Sequence, residues 1–544
     1  MNPSRLLPPL LASLLMTGCV NGPTVDVGAG DRTKVGYGKD DVSAEAVFVN
    51  FTFDGELLTG SSWNARGQIE DQLLYTIGHL NGERAVGRLD KLELTNITTT
   101  ADGDKTRVSY HAVLPVAWGD KEHYPASYTL RLPVDVSYSG QQAFTDKYKH
   151  DCVDWGAHDV TSGSMWYYYR PNRSGCHLAD ADVVSIDAAV TLSDINTTGK
   201  YPEYHKVWED DVFRVVAVFG KYEDGATTSS DAGISGYNQF AQSVKRELGA
   251  YNLETEPAEI PSAPGIDQPE LTFRADIGGG KSIEVVAMLV DNVRTAGADF
   301  DARYEELSTR ADLIIYNGHA GLGANIRALA RKGNWTAGQY AIIFVNGCDT
   351  YAYVDAALYD SHARINADDP TGTKYVDIVT NAMPSYFSNM PKASMALIHA
   401  LLGYARPQTY EQIFERVDRS QIVLVSGEQD NVYVPGMDGG GPTDPPVAWD
   451  GLSESGSVTE GQEQRWETPT LAAGSYEFAM TGTSDADLYV RIGDAPTTQT
   501  FDCRPFKTGS NETCRVELPT PAPLHLMVRG WAQSSTFELT GRPL

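Results

Sequence analysis

The sequence predicts a multidomain protein with an α+β N-terminal domain, a central α/β domain on a mostly parallel sheet, and a C-terminal all-β sandwich. Three observations lead to this prediction. The 544 residues suffice for two to four domains. Strand and helix patterns alternate over 206–428, which is typical of a parallel sheet. A Gly- and Pro-rich linker at 429–450 then separates this region from a series of short strand patterns at 451–544.

The amino terminus has the features of an export signal. Arg5 precedes a short apolar stretch at 6–16, and Met16-Thr17-Gly18-Cys19 resembles the bacterial lipobox, whose cysteine is lipidated after cleavage. The apolar stretch is too short to span a bilayer. The sequence therefore predicts a lipoprotein signal at 1–18, a lipidated Cys19 with a tether at 19–43, and anchorage to the bacterial cell envelope. An ordinary secretory signal that exports the protein is the alternative.

The composition narrows the range of partners. The 72 acidic residues outnumber the 43 basic residues, which gives a net charge of −29. Such a surface repels phosphate backbones and anionic lipids, so we expect no nucleic acid partner and no membrane contact beyond the lipid anchor.

Residues 44–205 combine one helical pattern with several strand patterns. Apolar residues recur at helical spacing over 69–80. Apolar and polar residues alternate, as they do in strands, at 91–97, 106–116, 127–138 and 183–192. This mixture predicts an α+β domain, to which the sequence assigns no chemistry.

The central region, residues 206–428, reads as strands joined by helices. The predicted strands are 213–219, 271–275, 282–290, 313–316, 341–345, 375–380 and 421–425. The predicted helices are 236–248, 300–311, 324–331, 353–359 and 391–404. Right-handed crossovers make strands joined in this way parallel, so the carboxyl ends of the strands meet at one edge of the sheet.

Two of these strands end in glycine turns that each carry one reactive side chain. The turns are Asn317-Gly318-His319-Ala320-Gly321 and Asn346-Gly347-Cys348-Asp349-Thr350. Because both turns leave the same edge, we expect His319 and Cys348 to be neighbours, and a histidine next to a thiol is what thiol acyl transfer requires. The alternative is that Cys348 is a buried small hydrophobe and His319 a loop residue. The candidates for lining the site are Asn317, Asn346, Asp349 and Asn381.

The cysteines support a special role for one thiol. The six cysteines are Cys19, Cys152, Cys176, Cys348, Cys503 and Cys514. With Cys19 assigned to the lipid, we pair Cys503 with Cys514 and Cys152 with Cys176, and Cys348 remains. A thiol in an oxidising compartment needs a use or deep burial. A zinc site is an alternative for the second pair, with His158 and His177 as the further ligands, although the spacing fits no common zinc motif.

The two turns resemble the core of the caspase–gingipain–legumain superfamily of cysteine peptidases, over 213–428 in fold terms. The resemblance implies that Cys348 is the nucleophile and His319 the general acid/base, that no cofactor is required, and that the substrates are proteins or peptides. It implies an oxyanion hole made of the main-chain N–H of Cys348 and that of Gly318 or Ala320. The chain departs from the family at Ala320, where glycine is common, and at Asp349, which follows the cysteine.

The C-terminal region resembles the bacterial pre-peptidase C-terminal domain, a β-sandwich found at the ends of secreted peptidases, over 451–544. The resemblance rests on Gly474-Ser475-Tyr476-Glu477-Phe478, Asp485-Ala486-Asp487-Leu488-Tyr489, the Cys503 to Cys514 segment and Val528-Arg529-Gly530-Trp531. Some relatives of this sandwich bind calcium. Asp485 and Asp487 are weak candidates, since calcium takes six to eight oxygen ligands and they supply one carboxylate pair.

Three functions follow from these observations. The first is a surface-anchored cysteine peptidase that hydrolyses peptide bonds through Cys348 and His319. The second is a non-catalytic surface lipoprotein whose peptidase-like core acts in adhesion or polymer binding, which Ala320 and Asp349 favour. The third is another thiol-dependent acyl transfer, because a Cys-His pair does not itself fix amide hydrolysis.

Overall fold

The computed structural model describes residues 24–26, 41–60, 63–437, 449–472, 474–493, 495–498, 501–505, 507–518 and 522–544. The predicted signal, the lipid site Cys19 and much of the predicted linker lie outside the described residues. The described chain divides into two compact units, one drawn from 1–34, 47–83 and 91–193 and the other from 35–46, 84–90 and 194–544. Within the described part, no helix has the length and apolar composition that a membrane span requires.

The N-terminal part of the chain alternates long strands with short helices. Its strands are β1 (Thr24–Asp26), β2 (Asp41–Ser43), β3 (Val47–Thr59), β4 (Ala85–Gly87), β5 (Glu93–Asp102), β6 (Lys105–Trp118), β7 (His123–Pro125), β8 (Ser127–Pro133) and β9 (Val183–Leu192). Its helices are α1 (Ala65–Leu73), α2 (Tyr75–Asn81), α3 (Tyr138–Tyr148) and α4 (Met165–Tyr168).

The first unit is an antiparallel sheet with helices packed on it. Strands run in the order β6-β3-β9-β8, and β5 also pairs with β6. Side chains of β3 alternate between buried and partly exposed, as expected for a strand with one face on the core. A disulfide joins Cys152 to Cys176 with a Cα–Cα distance of 4.7 Å, so the pairing predicted from the cysteine pattern is present.

The second unit contains the strands and helices of the central region. Its further strands are β10 (Val212–Gly220), β11 (Asn252–Glu256), β12 (Glu270–Gly278), β13 (Lys281–Val290), β14 (Leu313–Asn317), β15 (Ala341–Asn346), β16 (Val376–Asn381) and β17 (Val423–Ser426). Its helices are α5 (Tyr204–Val207), α6 (Ala232–Leu248), α7 (Ala298–Ser308), α8 (Ala324–Lys332), α9 (Thr350–Tyr353), α10 (Ala357–Ile365), α11 (Met390–Leu402) and α12 (Tyr410–Phe414).

The central sheet is mixed, which corrects the prediction of a mostly parallel sheet. Its strand order is β11-β12-β13-β10-β14-β15-β16-β17-β2. The five strands from β13 to β16 are parallel to one another, whereas β11 and β12 on one side and β17 and β2 on the other are antiparallel. The reason at one side is the glycine turn of residues 278–280, which joins β12 to β13 as a hairpin and so reverses the direction of the chain.

Helices cover both faces of the central sheet. On one face, α6 and α11 pack on alternate residues of the strands, such as Phe219, Ile315 and Phe344. The residues between them, such as Ile314 and Ile343, are also buried and face the other way. Right-handed crossovers that lead from β13 towards β16 put α7, α8 and α10 on that second face.

The C-terminal module is a sandwich of two antiparallel sheets. Its strands are β18 (Leu452–Val458), β19 (Glu463–Glu467), β20 (Gly474–Gly482), β21 (Ala486–Ile492), β22 (Glu512–Leu518), β23 (Leu524–Gly530) and β24 (Ser535–Pro543). The sheets have the orders β18-β24-β20-β22 and β19-β23-β21 and enclose an apolar core. Cys503 and Cys514 form the second predicted disulfide, with a Cα–Cα distance of 5.7 Å.

Candidate functional site

The two reactive turns lie at the same edge of the central sheet because β14 and β15 are parallel and in register. Asn317, the last residue of β14, is aligned with Asn346, the last residue of β15. The Gly318 N–H donates to the Asn346 carbonyl oxygen at 3.3 Å, which extends the pairing into the turns. Gly347 lies so close to the other turn that a Cβ atom there would be 2.8 Å from the Gly318 oxygen. His319 directly follows Gly318, and Cys348 directly follows Gly347.

His319 is an exposed side chain with a fixed ring orientation. Its Nε2 atom lies 3.0 Å from the carbonyl oxygen of Tyr222. A carbonyl oxygen only accepts, so Nε2 carries the proton and Nδ1 is the basic nitrogen of the neutral ring. The imidazole packs against the rings of Tyr222 and Phe387, with its centroid 5.1 Å from each, and these two rings also contact each other at 5.6 Å. One hydrogen bond and two aromatic contacts therefore hold the ring.

The main chain of His319 is also held in place. Its carbonyl oxygen accepts hydrogen bonds from the Tyr316 hydroxyl at 2.8 Å and from Asn325 Nδ2 at 2.7 Å. Burial raises the pKa of the Tyr316 hydroxyl, and negative charge on Asp224 and Cys348 adds to the rise. Tyr316 therefore holds the main chain of the histidine turn through its hydroxyl group.

Cys348 belongs to neither disulfide and is partly exposed. Its Sγ donates a weak hydrogen bond to the Ser385 carbonyl oxygen at 3.6 Å. Asp349, the next residue, is fully buried and adopts a left-handed conformation with φ of 52°. Aspartate tolerates this conformation better than most residues do. The resulting sharp turn ends β15 and starts α9 within four residues, so Cys348 sits in a tight loop at the sheet edge.

A network of buried amides and hydroxyls lies beneath the two turns. Asn346 is at its centre: its Nδ2 donates to Asn317 Oδ1 at 2.8 Å, and its Oδ1 accepts from Asn381 Nδ2 at 3.0 Å. The same oxygen accepts from Ser385 Oγ at 2.9 Å and Gln421 Nε2 at 3.0 Å. Asn381 Nδ2 also donates to the Gly347 carbonyl oxygen at 3.2 Å, which fixes the peptide group before the cysteine.

This network corrects the predicted role of the asparagines. Asn317, Asn346 and Asn381 were expected to line the site, but their exposed fractions are 1%, 0% and 0%, so they form its floor. The reason is the neighbouring chain: residues 382–390 and Gln421 cover the ends of the strands and bury the amides. Asp349 is likewise buried and does not line an open surface.

The N–H groups predicted for the oxyanion hole differ in their availability. The Gly318 N–H is already bonded to the Asn346 oxygen, so it is not available to a substrate. The Ala320 N–H has no acceptor among the residues that the structure describes, and it faces Gly347. Of these two candidates, Ala320 is therefore the one whose donor remains open.

Two further histidines of the central domain, His362 and His399, occupy structural positions. His362 is buried against Trp335, and burial lowers its pKa, whereas His399 pairs with Glu247 at 2.7 Å on the surface. The remaining candidates, Asp485 and Asp487, do not fit calcium. Asp487 forms an ion pair with the Arg504 guanidinium, and Asp485 Oδ1 accepts the Gly509 N–H at 2.9 Å. Over the described residues, no three His, Cys, Asp or Glu side chains converge to hold a metal ion.

Several residues of the site were not predicted from the sequence. Tyr222 follows β10, which is paired with β14 in parallel, so the rule that strand ends meet at one edge does point to it. Ser385, Phe387 and Gln421 come from irregular segments, and their positions depend on long-range packing rather than on a local pattern.

Comparison with known proteins identifies the C-terminal module. Residues 470–530 match the model of the bacterial pre-peptidase C-terminal domain, so the predicted domain family is confirmed for this part of the chain.

The relatives found by sequence are named as proteases. The chain is 39% identical over 111 residues to alkaline serine exoprotease A of Vibrio alginolyticus, covering 19% of this chain and 21% of the relative. It is 36% identical over 84 residues to the zinc metalloprotease of Helicobacter pylori, covering 15% and 33%. It is 47% identical over 72 residues to the neutral protease of Vibrio proteolyticus, covering 13% and 12%. The chain thus spans no more than a third of the length of these relatives.

Solved structures match over similarly short segments. The solution structure of vEP C-ter 100 is 32% identical, with a TM-score of 0.14, over 15% of this chain and 83% of that chain. The pre-peptidase C-terminal domain of collagenase from Bacillus anthracis is 12% identical, with a TM-score of 0.14, over 17% and 88%.

Proposed function

We propose that the protein is an exported cysteine peptidase in which Cys348 is the nucleophile and His319 the general acid/base. The observation that carries the proposal is the register of β14 and β15, which brings the two reactive turns into contact at one edge of the sheet. The orientation of His319 adds support, because the Tyr222 carbonyl oxygen holds the proton on Nε2 and leaves Nδ1 as a base.

The proposed reaction proceeds in two steps. His319 Nδ1 takes the proton of the Cys348 thiol, and the thiolate attacks the carbonyl carbon of the scissile peptide bond. The N–H groups of Ala320 and Cys348 donate to the oxygen of the tetrahedral intermediate. His319 then gives the proton to the leaving amine, which leaves a thioester on Cys348. Water, deprotonated by His319, hydrolyses the thioester and regenerates the thiol.

The C-terminal module supports export and a peptide substrate. Its family takes its name from secreted peptidases, and the relatives are named as serine and metalloproteases. Since the named relatives differ in catalytic class, this module does not supply the chemistry, and the central domain is left to provide it. The two disulfides fit an oxidising compartment outside the cytoplasm. A lipid on Cys19 would keep the exported protein at the cell envelope.

A reactive-cysteine probe tests the proposal. We expect a peptidyl acyloxymethyl ketone to label the wild-type protein on Cys348 and not to label Cys348→Ala. His319→Ala should slow labelling by about 100-fold or more, because the thiol loses its base. His399→Ala is the matched control, since this exposed histidine pairs with Glu247 far from the cysteine in sequence. Labelling of folded Cys348→Ala, or none of folded wild type, contradicts the proposal.

A non-catalytic binding protein is the second candidate, and one observation favours it. Asp349 places a buried carboxylate directly after the cysteine, where negative charge opposes formation of a thiolate. In that case the wild-type thiol stays unlabelled while the protein remains folded. If labelling occurs but no peptide is cleaved, another thiol-dependent acyl transfer becomes the better assignment.

A further inference from the structure

A cavity of about 410 Å³ lies between α8 and α10, away from the reactive turns. It is lined by the last turn of α8, one side of α10 from its first residue to its last, and residues 333–335. Helix α8 starts just after the His319 turn and runs back along the sheet, so its last turn lies towards the opposite edge. The cavity is thus separate from the proposed catalytic edge and independent of the proposed function.

Two arginines in the walls of the cavity have N–H donors without acceptors. Arg331 and Arg364 both line it, and neither guanidinium has an ion pair or a hydrogen bond within the described residues. The helix dipoles favour arginine in the last turn of α8 and of α10, which explains why the two side chains are there. That interaction still leaves the five N–H donors of each guanidinium open.

Trp335 also lines the cavity and carries a further donor without a partner. The indole Nε1 of Trp335 is buried and has no acceptor within reach among the described residues. An unsatisfied buried donor is costly, so a ligand acceptor at this position would be stabilised. The indole ring packs on His362 with a centroid distance of 5.1 Å, and the small side chains of Ala330 and Ala357 leave room above it.

We propose that this cavity binds a small organic anion that carries a carboxylate or phosphate on a flat apolar body. Guanidinium groups recognise both oxyanions through paired hydrogen bonds, and the Trp335 ring offers an aromatic surface to the apolar part. The volume lies within the range typical of small-molecule sites. Asp360 also lines the cavity and has no cationic partner among the described residues, so a ligand that offers a hydroxyl or ammonium group as well is favoured over a bare polyanion.

Titration calorimetry of the whole protein tests the site with three probes of similar size, namely phenyl phosphate, benzoate and neutral benzyl alcohol. We expect at least one anion to bind with a Kd of about 1 mM or tighter and the alcohol to bind at least about tenfold more weakly. The anion that binds better distinguishes a phosphate site from a carboxylate site.

Two arginine substitutions make the test specific to the cavity. The double variant Arg331→Gln/Arg364→Gln should weaken binding of the anion by about tenfold or more, and Trp335→Phe by a smaller factor, because it removes one neutral donor. Arg294→Gln is the matched control, an exposed arginine outside the cavity. The arginines are exposed, so the double variant should unfold at the same temperature as the wild type. The proposal is overturned if neither anion binds, if the alcohol binds equally well, or if the double variant binds as the wild type does.

Discussion

The two ends of the parallel strands carry opposite kinds of buried polar groups. At the carboxyl ends, next to the reactive turns, the last residues of β14, β15 and β16 are the amides Asn317, Asn346 and Asn381. At the amino ends, the buried groups are carboxylates: Asp312 directly precedes β14, and Asp377 is the second residue of β16. Two of these three strands, β14 and β16, therefore begin with groups that titrate, whereas all three end with groups that do not.

The carboxylates at the amino ends are strongly perturbed. Burial raises the pKa of Asp377 to about 6, although Asp377 Oδ2 accepts hydrogen bonds from Tyr340, Tyr410 and Asn431. Burial raises the pKa of Asp312 to about 8, against the hydrogen bonds from the Arg214 N–H and from Gln339. Charging either group in the folded protein is unfavourable, so the stability of the sheet depends on pH at this end.

The buried groups at the two ends therefore differ in their response to pH. Amides keep the same donors and acceptors at every physiological pH, so protonation does not change the floor under Cys348 and His319. The buried carboxylates with a raised pKa, Asp312 and Asp377, lie at the other end of the strands.

The largest expected effect is at the amide end. Asn346→Ala removes the centre of the network and takes one buried hydrogen bond from each of Asn317, Asn381, Ser385 and Gln421. We expect a loss of about 3 to 5 kcal/mol in the free energy of unfolding, measured by urea denaturation. Asn334→Ala, which truncates an exposed asparagine, is the control and should change stability by less than about 0.5 kcal/mol. A loss below about 1 kcal/mol in Asn346→Ala would show that the network is not structurally important.

A smaller, pH-dependent effect is expected at the carboxylate end. Because the folded pKa of Asp377 is raised, the folded state holds a proton that the unfolded state has released between about pH 4 and pH 6. The contribution of Asp377 to the free energy of unfolding is thus fully present below pH 4. It is lost as the pH rises through 6, by up to about 3 kcal/mol. Asp377→Asn should remove this loss when urea denaturation is measured from pH 4 to pH 8.

A second buried carboxylate and a control variant help to interpret this measurement. Asp312 remains in the variant and should still lower stability up to about pH 8. Asp368→Asn is the control, because hydrogen bonds from Lys374 and Tyr375 lower the pKa of this exposed carboxyl, so its contribution has the opposite sign. An unchanged slope between pH 4 and pH 6 in Asp377→Asn would contradict the assignment.

The smallest effect concerns a carboxylate near the reactive edge that stays charged. Asp231 accepts the N–H groups of Tyr222, Glu223 and Ile234, and these bonds outweigh burial and lower its pKa. Asp231 therefore positions the Tyr222 carbonyl that orients His319. Asp231→Asn places an NH₂ group against one of these donors, and we expect the rate of labelling of Cys348 to fall by about tenfold with a shifted pH profile.

Two comparisons isolate this positioning role. Asp299→Asn alters another acid beside a helix start and should leave the labelling rate unchanged. If Asp231→Asn and the wild type have the same rate at every pH, Asp231 does not position the histidine, although labelling of the wild type would still support the cysteine peptidase.

The sequence predicts the edge that carries the reactive turns better than it predicts the rest of the sheet. The strands at 313–316 and 341–345 were predicted within one residue of β14 and β15, because each is a continuous apolar run that a glycine turn ends. The outermost strands of the mixed sheet, β2 and β11, were not predicted. β2 pairs with β17 across almost the whole central region, and β11 has no apolar run.

Two predicted element boundaries are wrong, at places where side-chain contacts override the local sequence pattern. The predicted helix at 353–359 is divided into α9 and α10, and the predicted strand at 127–138 ends at Pro133, before α3. Tyr222 and Ser385 were absent from the predicted site because their contributions come through main-chain carbonyl groups, which any residue type supplies.

Gly347 lies where the two turns approach each other most closely. A single methyl group at this position would act as a wedge between the two turns, because it would lie 2.8 Å from the Gly318 oxygen. The close approach of the two turns therefore requires that position 347 carry no side chain.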